Sequence, residues 1–296
     1  MKRRFATVDV FTDRAFGGNP LAIVLDAEGL DTATMQAIAA EFNYSETTFV
    51  LPPANPAHTA SVRIFTPKSE LPFAGHPNVG TGFWLAREGS AFGTGVGDRL
   101  VFEEAAGLVA ITPIRDGGAL TGADIIAPQS LSLTGTIAPE VIATCLGLEP
   151  ADIATAAHHP CIASVGTPFT IAEVRDSTVL DRIITDPAQF TRLPATAHDL
   201  LVYAWDDGPS ARGIDLHCRM FAPLDGIAED PATGSANAAL AALIASLRPP
   251  ASLTLRIAQG DAMGRPSRLR ATVDPSGRTT IGGSCVAIAE GHLTID

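Results

Sequence analysis

Two short segments of the sequence combine glycine with residues that suit the start of a helix. The first is Gly-His-Pro-Asn at 75–78, and the second is Asp-Pro-Ala-Thr-Gly-Ser at 230–235. Pro77 suits a first helical turn, and Thr233 or Ser235 could cap the second helix. The free N–H groups at a helix start attract anions, so two converging starts would bind a substrate carboxylate or a developing oxyanion. The alternative is that both segments are ordinary helix caps.

An internal duplication favours the first interpretation. Arg-Ile-Phe-Thr-Pro at 63–67 recurs as Arg-Met-Phe-Ala-Pro at 219–223, which is 156 positions later. Gly75 and Gly234 are 159 positions apart, so the second copy carries about three extra residues. The repeat indicates two halves with one plan: a strand, an irregular stretch and a helix that glycine begins.

The remaining patterns predict strands with a few inserted helices. Residues 5–11, 21–25, 47–51 and 60–65 are of strand type, and Asp31 is a candidate N-cap for the helix that follows it. Strands and helices do not alternate regularly. The expected fold class is therefore α+β and not a doubly wound sheet.

The second glycine-led helix indicates how each half is built. The sequence after Gly234 is apolar on every face, and such a helix must be enclosed by protein. We expect a curved, barrel-like, mostly antiparallel sheet around a central helix in each half. The first half is predicted at 1–122, completed by a strand from about 284–296, and the second at 130–283. The active site is expected in the cleft between them.

The composition indicates which kinds of binding partner are disfavoured. Lys plus Arg number 20 against 32 Asp plus Glu, for a net charge of −12, and hydrophobic residues make up 46% of the chain. An acidic surface of this kind disfavours nucleic acid and anionic lipid. The N-terminus lacks the apolar region of a signal peptide, and the four cysteines are scattered, which is typical of reduced thiols. We expect a cytoplasmic protein with no membrane or nucleic-acid partner.

Three further patterns do not predict a functional site of their own. His158, His159 and Cys161 are metal-ligand types, but no second spaced pair completes a site, so no metal is expected. The Gly-x-Gly-x-Gly run at 93–97 is followed by strand-type residues, which predicts a hairpin turn and not a dinucleotide site. A Ser–His–Asp set is also available, but Ser235 lacks a nucleophile-elbow context.

The motifs together resemble a known family. Asn-Pro at 19–20, Tyr-Ser-Glu-Thr at 44–47, Arg-x-Phe-Thr-Pro at 63–67, Ala-Gly-His-Pro at 74–77 and Glu-Asp-Pro-Ala-Thr-Gly-Ser at 229–235 are similar to motifs of the PhzF-like isomerases of phenazine biosynthesis. The resemblance covers essentially the whole chain. It implies the fold shared with diaminopimelate epimerase and proline racemase, which consists of two similar halves with the active site between them.

The same resemblance implies roles for individual residues. The epimerase relatives carry a thiol just before each helix-start glycine, whereas this chain has Ala74 and Thr233, so a two-thiol racemase is excluded. The family's acid/base glutamate corresponds to Glu46, which lies between a helix and an apolar strand where partial burial could raise its pKa. The resemblance adds further site residues: His76 and Asp230 as catalytic, and Asn19, Gly75, His76, Gly234 and Ser235 as substrate-binding.

These observations predict a cofactor-independent isomerase that moves a proton on a small carboxylate-bearing substrate. The resemblance also implies a homodimer. One alternative is a non-catalytic small-molecule or partner-binding protein on the same scaffold, and another is a serine-based hydrolase.

Overall fold

The computed structural model describes residues 2–206, 213–248 and 251–295. The chain forms two compact units, one of Met1–Pro128 with Gly282–Asp296 and one of Gln129–Ile281.

The first unit is built from strands with two helices. Its elements are β1 (Lys2–Val10), β2 (Asn19–Val24), α1 (Thr32–Phe42), β3 (Glu46–Leu51), β4 (Ala60–Phe65), β5 (Glu70–Leu71), α2 (Gly75–Glu88), β6 (Ser90–Ala91), β7 (Thr94–Gly95), β8 (Leu100–Glu104), β9 (Gly107–Asp116) and β10 (Ala119–Ile126). The last strand of the chain, β20 (Thr279–Thr294), pairs with β1 over Lys2–Val10.

Eight strands of this unit close into a barrel in the order β10, β20, β1, β2, β3, β4, β8 and β9, with β9 paired to β10 again. Helix α2 is buried from Gly75 to Leu85, so it fills the barrel. Glycine inside the helix lets the wall approach closely: a Cβ on Gly82 would lie 2.5 Å from a methyl carbon of Ile111. Close packing therefore outweighs the poor helix propensity of glycine at this position.

The second unit repeats the plan around another helix. Its elements are β11 (Ser132–Thr136), α3 (Pro139–Leu146), β12 (Ile153–Ala154), β13 (Cys161–Ser164), β14 (Pro168–Val174), α4 (Ser177–Asp181), β15 (Leu200–Trp205), β16 (Leu216–Ala222), β17 (Ile227–Asp230), α5 (Gly234–Ser246), β18 (Leu253–Gln259) and β19 (Ser267–Val273). Helix α5 is buried from Gly234 to Ile244 and contacts β13, β14, β18 and β19. A helix buried on every face was predicted from its sequence, and the structure confirms it.

Smaller apolar layers cover the outside of each sheet. In the first unit, Met35 and Ala39 of α1 pack with Val24, Phe49 and Phe65 from the strands. In the second, α3 and α4 pack against alternate residues of β14 and β15. The alternation follows from the period-2 geometry of a strand, which sends one face toward α5 and the other toward these helices.

Most local predictions agree with the structure. Helices begin at Gly75 and Gly234, and Asp31 caps α1 by accepting a hydrogen bond from the Thr34 backbone N–H at 2.7 Å. The residues at 93–97 lie in and beside the β6–β7 hairpin. The first strand begins at Lys2, earlier than predicted, because its charged start pairs with the end of β20.

All four cysteines are buried with free thiols. Among the described residues, the helices are too short or too polar to cross a membrane.

Candidate active site

In the first unit, the fold brings Glu46 and His76 into contact. Glu46 begins β3, and His76 is the second residue of α2 inside the barrel. Atom Oε2 of Glu46 lies 3.3 Å from Nε2 of His76, and the two side chains are only 13% and 4% exposed. Residues 30 positions apart in sequence thus share a shielded position at the end of the barrel.

Asn19 completes this group from the neighbouring strand. It begins β2, which runs parallel to β3 with Leu21 opposite Glu46. The Asn19 side chain is fully buried, and its Nδ2 lies 3.3 Å from Nδ1 of His76. Because an amide nitrogen only donates, Nδ1 is the acceptor and the ring proton of neutral His76 sits on Nε2, facing Glu46.

Burial keeps the His76 ring neutral. It lowers the pKa of His76 to about 3, because the charged imidazolium would lose its hydration inside the barrel. The contact with Glu46 is therefore between a neutral N–H group and a carboxyl group, and not an ion pair of the usual kind. The neutral ring of His76 can orient Glu46 or a substrate through its N–H group. It cannot act as an imidazolium acid near neutral pH, because it does not carry the second ring proton there.

The start of α2 presents backbone N–H groups beside these side chains. Its N-cap residue is Ala74, which has no polar side chain to occupy them. Gly75 and the residues up to Asn78 are buried, and Asn78 Nδ2 donates to the Ala74 carbonyl oxygen at 2.9 Å. An uncapped helix start in a shielded position suits an anionic group.

In the second unit, Asp230, Gly234 and Ser235 also lie together. Asp230 ends β17, and Gly234 and Ser235 are the first two residues of α5. All three are buried. The hydroxyl group of Thr233 donates a hydrogen bond to Oδ2 of Asp230 and thereby fixes the carboxylate.

Thr233 is the N-cap residue of α5, which was one of the two predicted candidates, but a cap through its side chain is not formed. The Thr233 hydroxyl turns to Asp230 and makes no capping bond with the described start of α5. Ser235 lies inside the first turn. The start of α5, like that of α2, thus keeps its N–H groups free of a side-chain cap.

Gln259, which the sequence did not indicate, makes hydrogen bonds beside the predicted site residue Asp230. Its Nε2 donates to the Asp230 carbonyl oxygen at 2.8 Å, and its Oε1 accepts from Asn237 Nδ2 at 2.7 Å. It also accepts from the Thr233 backbone N–H at 3.3 Å. The available signal was a glutamine at the end of an apolar, alternating strand, which is an unusual residue on a buried face.

A cluster of possible cation ligands surrounds Asp199, and the sequence did not indicate it. His198, Asp199 and Asp225 offer ligand atoms within 4.8 Å of one another, so these residues could hold a cation. Burial raises the pKa of Asp199 to about 7, and the neighbouring charge of Asp225 adds to this effect. His158, considered above as a metal ligand, instead has its Nε2 2.9 Å from the hydroxyl oxygen of Tyr203.

The structure therefore places the predicted site residues in two groups, one in each unit. Glu46, His76, Asn19 and Gly75 belong to the first unit, and Asp230, Gly234 and Ser235 to the second. That the two groups face one cleft stays a prediction.

Comparison with known proteins shows to which family the chain belongs. The family model described as phenazine biosynthesis-like protein matches residues 8–291. An uncharacterised isomerase of Mesorhizobium japonicum is 40% identical, with 99% of each chain covered. The trans-2,3-dihydro-3-hydroxyanthranilate isomerase of Pseudomonas aeruginosa is 32% identical, with 98% of each covered. The crystal structure of a PhzF-family phenazine biosynthesis protein from Bacillus anthracis matches all of both chains, with 25% identity and a TM-score of 0.86.

The fold and the relatives define an isomerase of α+β architecture with two similar halves, as predicted. The chain belongs to the phenazine biosynthesis-like, PhzF family of proteins.

Proposed function

We propose that the chain is a proton-transfer isomerase in which Glu46 is the acid/base, acting without a cofactor on a small carboxylate-bearing substrate. The observation that carries this proposal is the buried contact between Glu46 Oε2 and His76 Nε2 at 3.3 Å, beside the uncapped start of α2. A shielded carboxyl group next to an anion-binding helix start has the components that abstraction of a carbon-bound proton requires.

In the proposed reaction, the Glu46 carboxylate takes a proton from a carbon next to an electron-withdrawing group. The electron pair of the broken C–H bond moves into the substrate's unsaturated system, and the protonated Glu46 returns the proton to another carbon of the same molecule. His76 stays neutral throughout, because burial lowers its pKa to about 3. Its ring N–H orients Glu46 or the substrate, while Asn19 fixes the ring.

The helix starts supply the electrostatic part of the proposal. Backbone N–H groups at Gly75 of α2 would bind the negative charge that develops when Glu46 removes the proton. Gly234 and Ser235 of α5 would bind the substrate carboxylate, and Asp230, fixed by Thr233, would accept a hydrogen bond from a substrate amino or hydroxyl group. This division requires that the two groups share one site, as predicted from the duplication.

The relatives support a class of substrate but do not identify the individual substrate. The Pseudomonas aeruginosa relative is named for a dihydro-hydroxyanthranilate, a cyclic molecule with a carboxylate, an amino group and ring double bonds. We infer that a small unsaturated carboxylate is the substrate here. A two-thiol racemase mechanism is unsuitable, because Ala74 and Thr233 replace the thiols just before the helix starts.

The proposal is tested by incubating the protein with a panel of small unsaturated carboxylates in deuterated water. Proton NMR should show a rearranged double bond together with deuterium at one carbon of a substrate from the panel. Binding of panel members without exchange or rearrangement would support the non-catalytic alternative. Covalent labelling of Ser235 by a fluorophosphonate, with hydrolysis of an ester, would support the hydrolase.

A further inference from the structure

One buried carboxyl group of the first unit lies outside the groups described above. Glu104 ends β8 on the strand face that carries Leu100 and Phe102, both of which are fully buried. Both carboxyl oxygens of Glu104 are shielded from solvent, and neither makes a hydrogen bond of normal geometry with a described residue. An ionised carboxylate in this environment would carry a large desolvation cost.

The neighbour of Glu104 is the first turn of α2. The Asn78 side chain lies close enough to act on the Glu104 carboxyl group as a hydrogen-bond partner. Asn78 Nδ2 donates to the Ala74 carbonyl oxygen, whereas its Oδ1 is buried and has no partner within the described part of the chain. The second proton on Asn78 Nδ2 can be donated to one Glu104 oxygen, but an ionised Glu104 could only accept hydrogen bonds, so its other buried oxygen would lack a donor among the described residues.

The second unit has a glutamine at the corresponding position. In each unit, the strand that carries the Arg-x-Phe-x-Pro repeat pairs in parallel with a second strand. These pairs are β4 with β8 in the first unit and β16 with β18 in the second. The matching pairs in the two registers are Ala60 with Phe102 and Leu216 with Ile257. Glu104 and Gln259 each lie two residues beyond these pairs, on the same strand face and at the end of the strand.

Gln259 shows what this position does when its side chain is an amide. It accepts from Asn237 Nδ2 at 2.7 Å and donates to the Asp230 carbonyl oxygen at 2.8 Å. Asn237 is the fourth residue of α5, as Asn78 is of α2. The two asparagines make the same further bond: Asn237 Nδ2 donates to the Thr233 carbonyl oxygen at 2.9 Å, and Asn78 Nδ2 donates to that of Ala74 at 2.9 Å.

We propose that Glu104 is held as a neutral carboxylic acid and positions the start of α2, in the way that Gln259 positions the start of α5. A carboxylic acid has nearly the shape of a primary amide and, like it, offers both a donor and an acceptor. Protonation removes the charge that two buried oxygens would otherwise carry with too few donors around them. The role as a positioning residue rests on the proposed function, in which the start of α2 carries Gly75 and His76.

The surroundings of Glu104 agree with the protonated form. Burial raises the pKa of Glu104 to about 8 and outweighs the hydrogen bond with Asn78, which acts in the opposite direction; no charged side chain among the described residues contributes. Glu103 points to the opposite face of β8, where it pairs with His58 at 2.7 Å.

This assignment has a definite pH dependence. The pKa of Glu104 is raised in the folded state above the ordinary value of 4.5. Between the two values the folded chain holds a proton that the unfolded chain has released. The contribution of Glu104 to folding is therefore greatest at low pH and is lost as the pH rises from 4.5 toward about 8, by up to about tenfold in the unfolding equilibrium constant per pH unit.

Infrared spectroscopy of the full chain tests the protonation directly and needs no substrate. At pH 6, the wild type minus Glu104→Gln difference spectrum should contain the C=O band of a protonated carboxylic acid. This band should disappear as the pH rises through about 8. Asp199→Asn is the control variant, because burial also raises the pKa of Asp199, and it should keep the Glu104 band.

Stability and turnover test the positioning role. Glu104→Gln should fold and retain turnover close to wild type. It should also lose the decline in stability between pH 4.5 and about 8 and the decline in activity above about pH 8, whereas Glu104→Leu should lower kcat. The reverse exchange, Gln259→Glu, should create a new loss of stability with rising pH. If the isomerase proposal fails and no substrate turns over, the infrared band and the unfolding curves still decide the state of Glu104.

Three results would overturn the inference. The first is a difference spectrum at pH 6 without a protonated carboxyl band. The second is failure of Glu104→Gln to fold. The third is loss of turnover in Glu104→Gln to the same extent as in Glu104→Leu, since an amide should replace the neutral acid.

Discussion

The hydroxyl group of Thr233 donates a hydrogen bond to the carboxylate of Asp230, three residues before it in the chain. A threonine at an N-cap position usually turns its oxygen to the first turn of its own helix. Here the hydroxyl is used as a donor to Asp230, so the first turn of α5 stays available to a ligand. The same side chain thus holds one site residue and leaves the neighbouring helix start open.

Removal of this hydroxyl should cost stability. Thr233→Val keeps the side-chain shape but deletes the hydrogen bond to a charged group, so the free energy of unfolding should fall by about 1.5 to 3 kcal/mol. Urea unfolding at pH 7 measures the change. Thr233→Ser retains the hydroxyl and should lose less than Thr233→Val. Equal losses in the two variants would show that the hydrogen bond to Asp230 contributes little.

His76 should make the protein less stable in acid. Burial lowers the pKa of His76 to about 3, so below pH 6.5 the unfolded chain binds a proton that the folded chain does not. Stability from this source is complete above pH 6.5 and falls as the pH drops, by up to about 1.4 kcal/mol per pH unit. Urea unfolding between pH 6.5 and 5 should show a shallower decline in His76→Asn than in the wild type. The exposed His292→Asn controls for the loss of a histidine, and an unchanged slope in His76→Asn would contradict the burial argument.

The barrel of the first unit should reject a methyl group at Gly82. A Cβ there would lie 2.5 Å from a methyl carbon of Ile111, which requires the helix or the wall to move. Overpacking costs about 1 to 3 kcal/mol, against a gain of about 1 kcal/mol from the better helix propensity of alanine. Gly82→Ala should therefore lower the melting temperature. Gly95→Ala, where a Cβ would meet open space, is the control and should change it little. A stabilised Gly82→Ala variant would show that α2 is not tightly enclosed.

The organisation of this protein was predictable where local sequence determines it. The starts of α2 and α5 follow from glycine next to a repeated motif, and the cap at Asp31 follows from one side chain and its own helix. Glu46 and His76 came from the family resemblance, and no local pattern places their side chains 3.3 Å apart.

Other residues of the site depend on pairing between distant strands. Gln259 meets Asp230 because β16 and β18 run parallel in one particular register, with Cys218 opposite Gln259. A one-residue shift in that register would turn Gln259 to the other face. The periodicity of one strand does not encode its register with another. The position of Glu104 beside Asn78 likewise depends on the register between β4 and β8.

Ser235 should contribute to binding more than to folding. Its hydroxyl lies in the first turn of α5, where the proposal places the substrate carboxylate. Ser235→Ala should weaken binding of an anionic substrate analogue by about 1 to 3 kcal/mol, measured by calorimetry, because one buried partner of the ligand is lost. Ser246→Ala, near the other end of the same helix, is the matched control. Unchanged affinity in Ser235→Ala would remove Ser235 from the binding site.

The central claim is that the Glu46 carboxyl group carries the proton, and exchange of substrate hydrogen with deuterated water tests it most directly. Glu46→Gln preserves size and hydrogen bonding but cannot shuttle a proton, so exchange and isomerisation should fall together by a factor of ~10² to 10⁴, with analogue binding retained. Glu41→Gln, on the exposed side of α1, is the control and should exchange at the wild-type rate. If Glu46→Gln exchanges and isomerises at close to the wild-type rate, Glu46 is not the acid/base and the proposed mechanism is wrong.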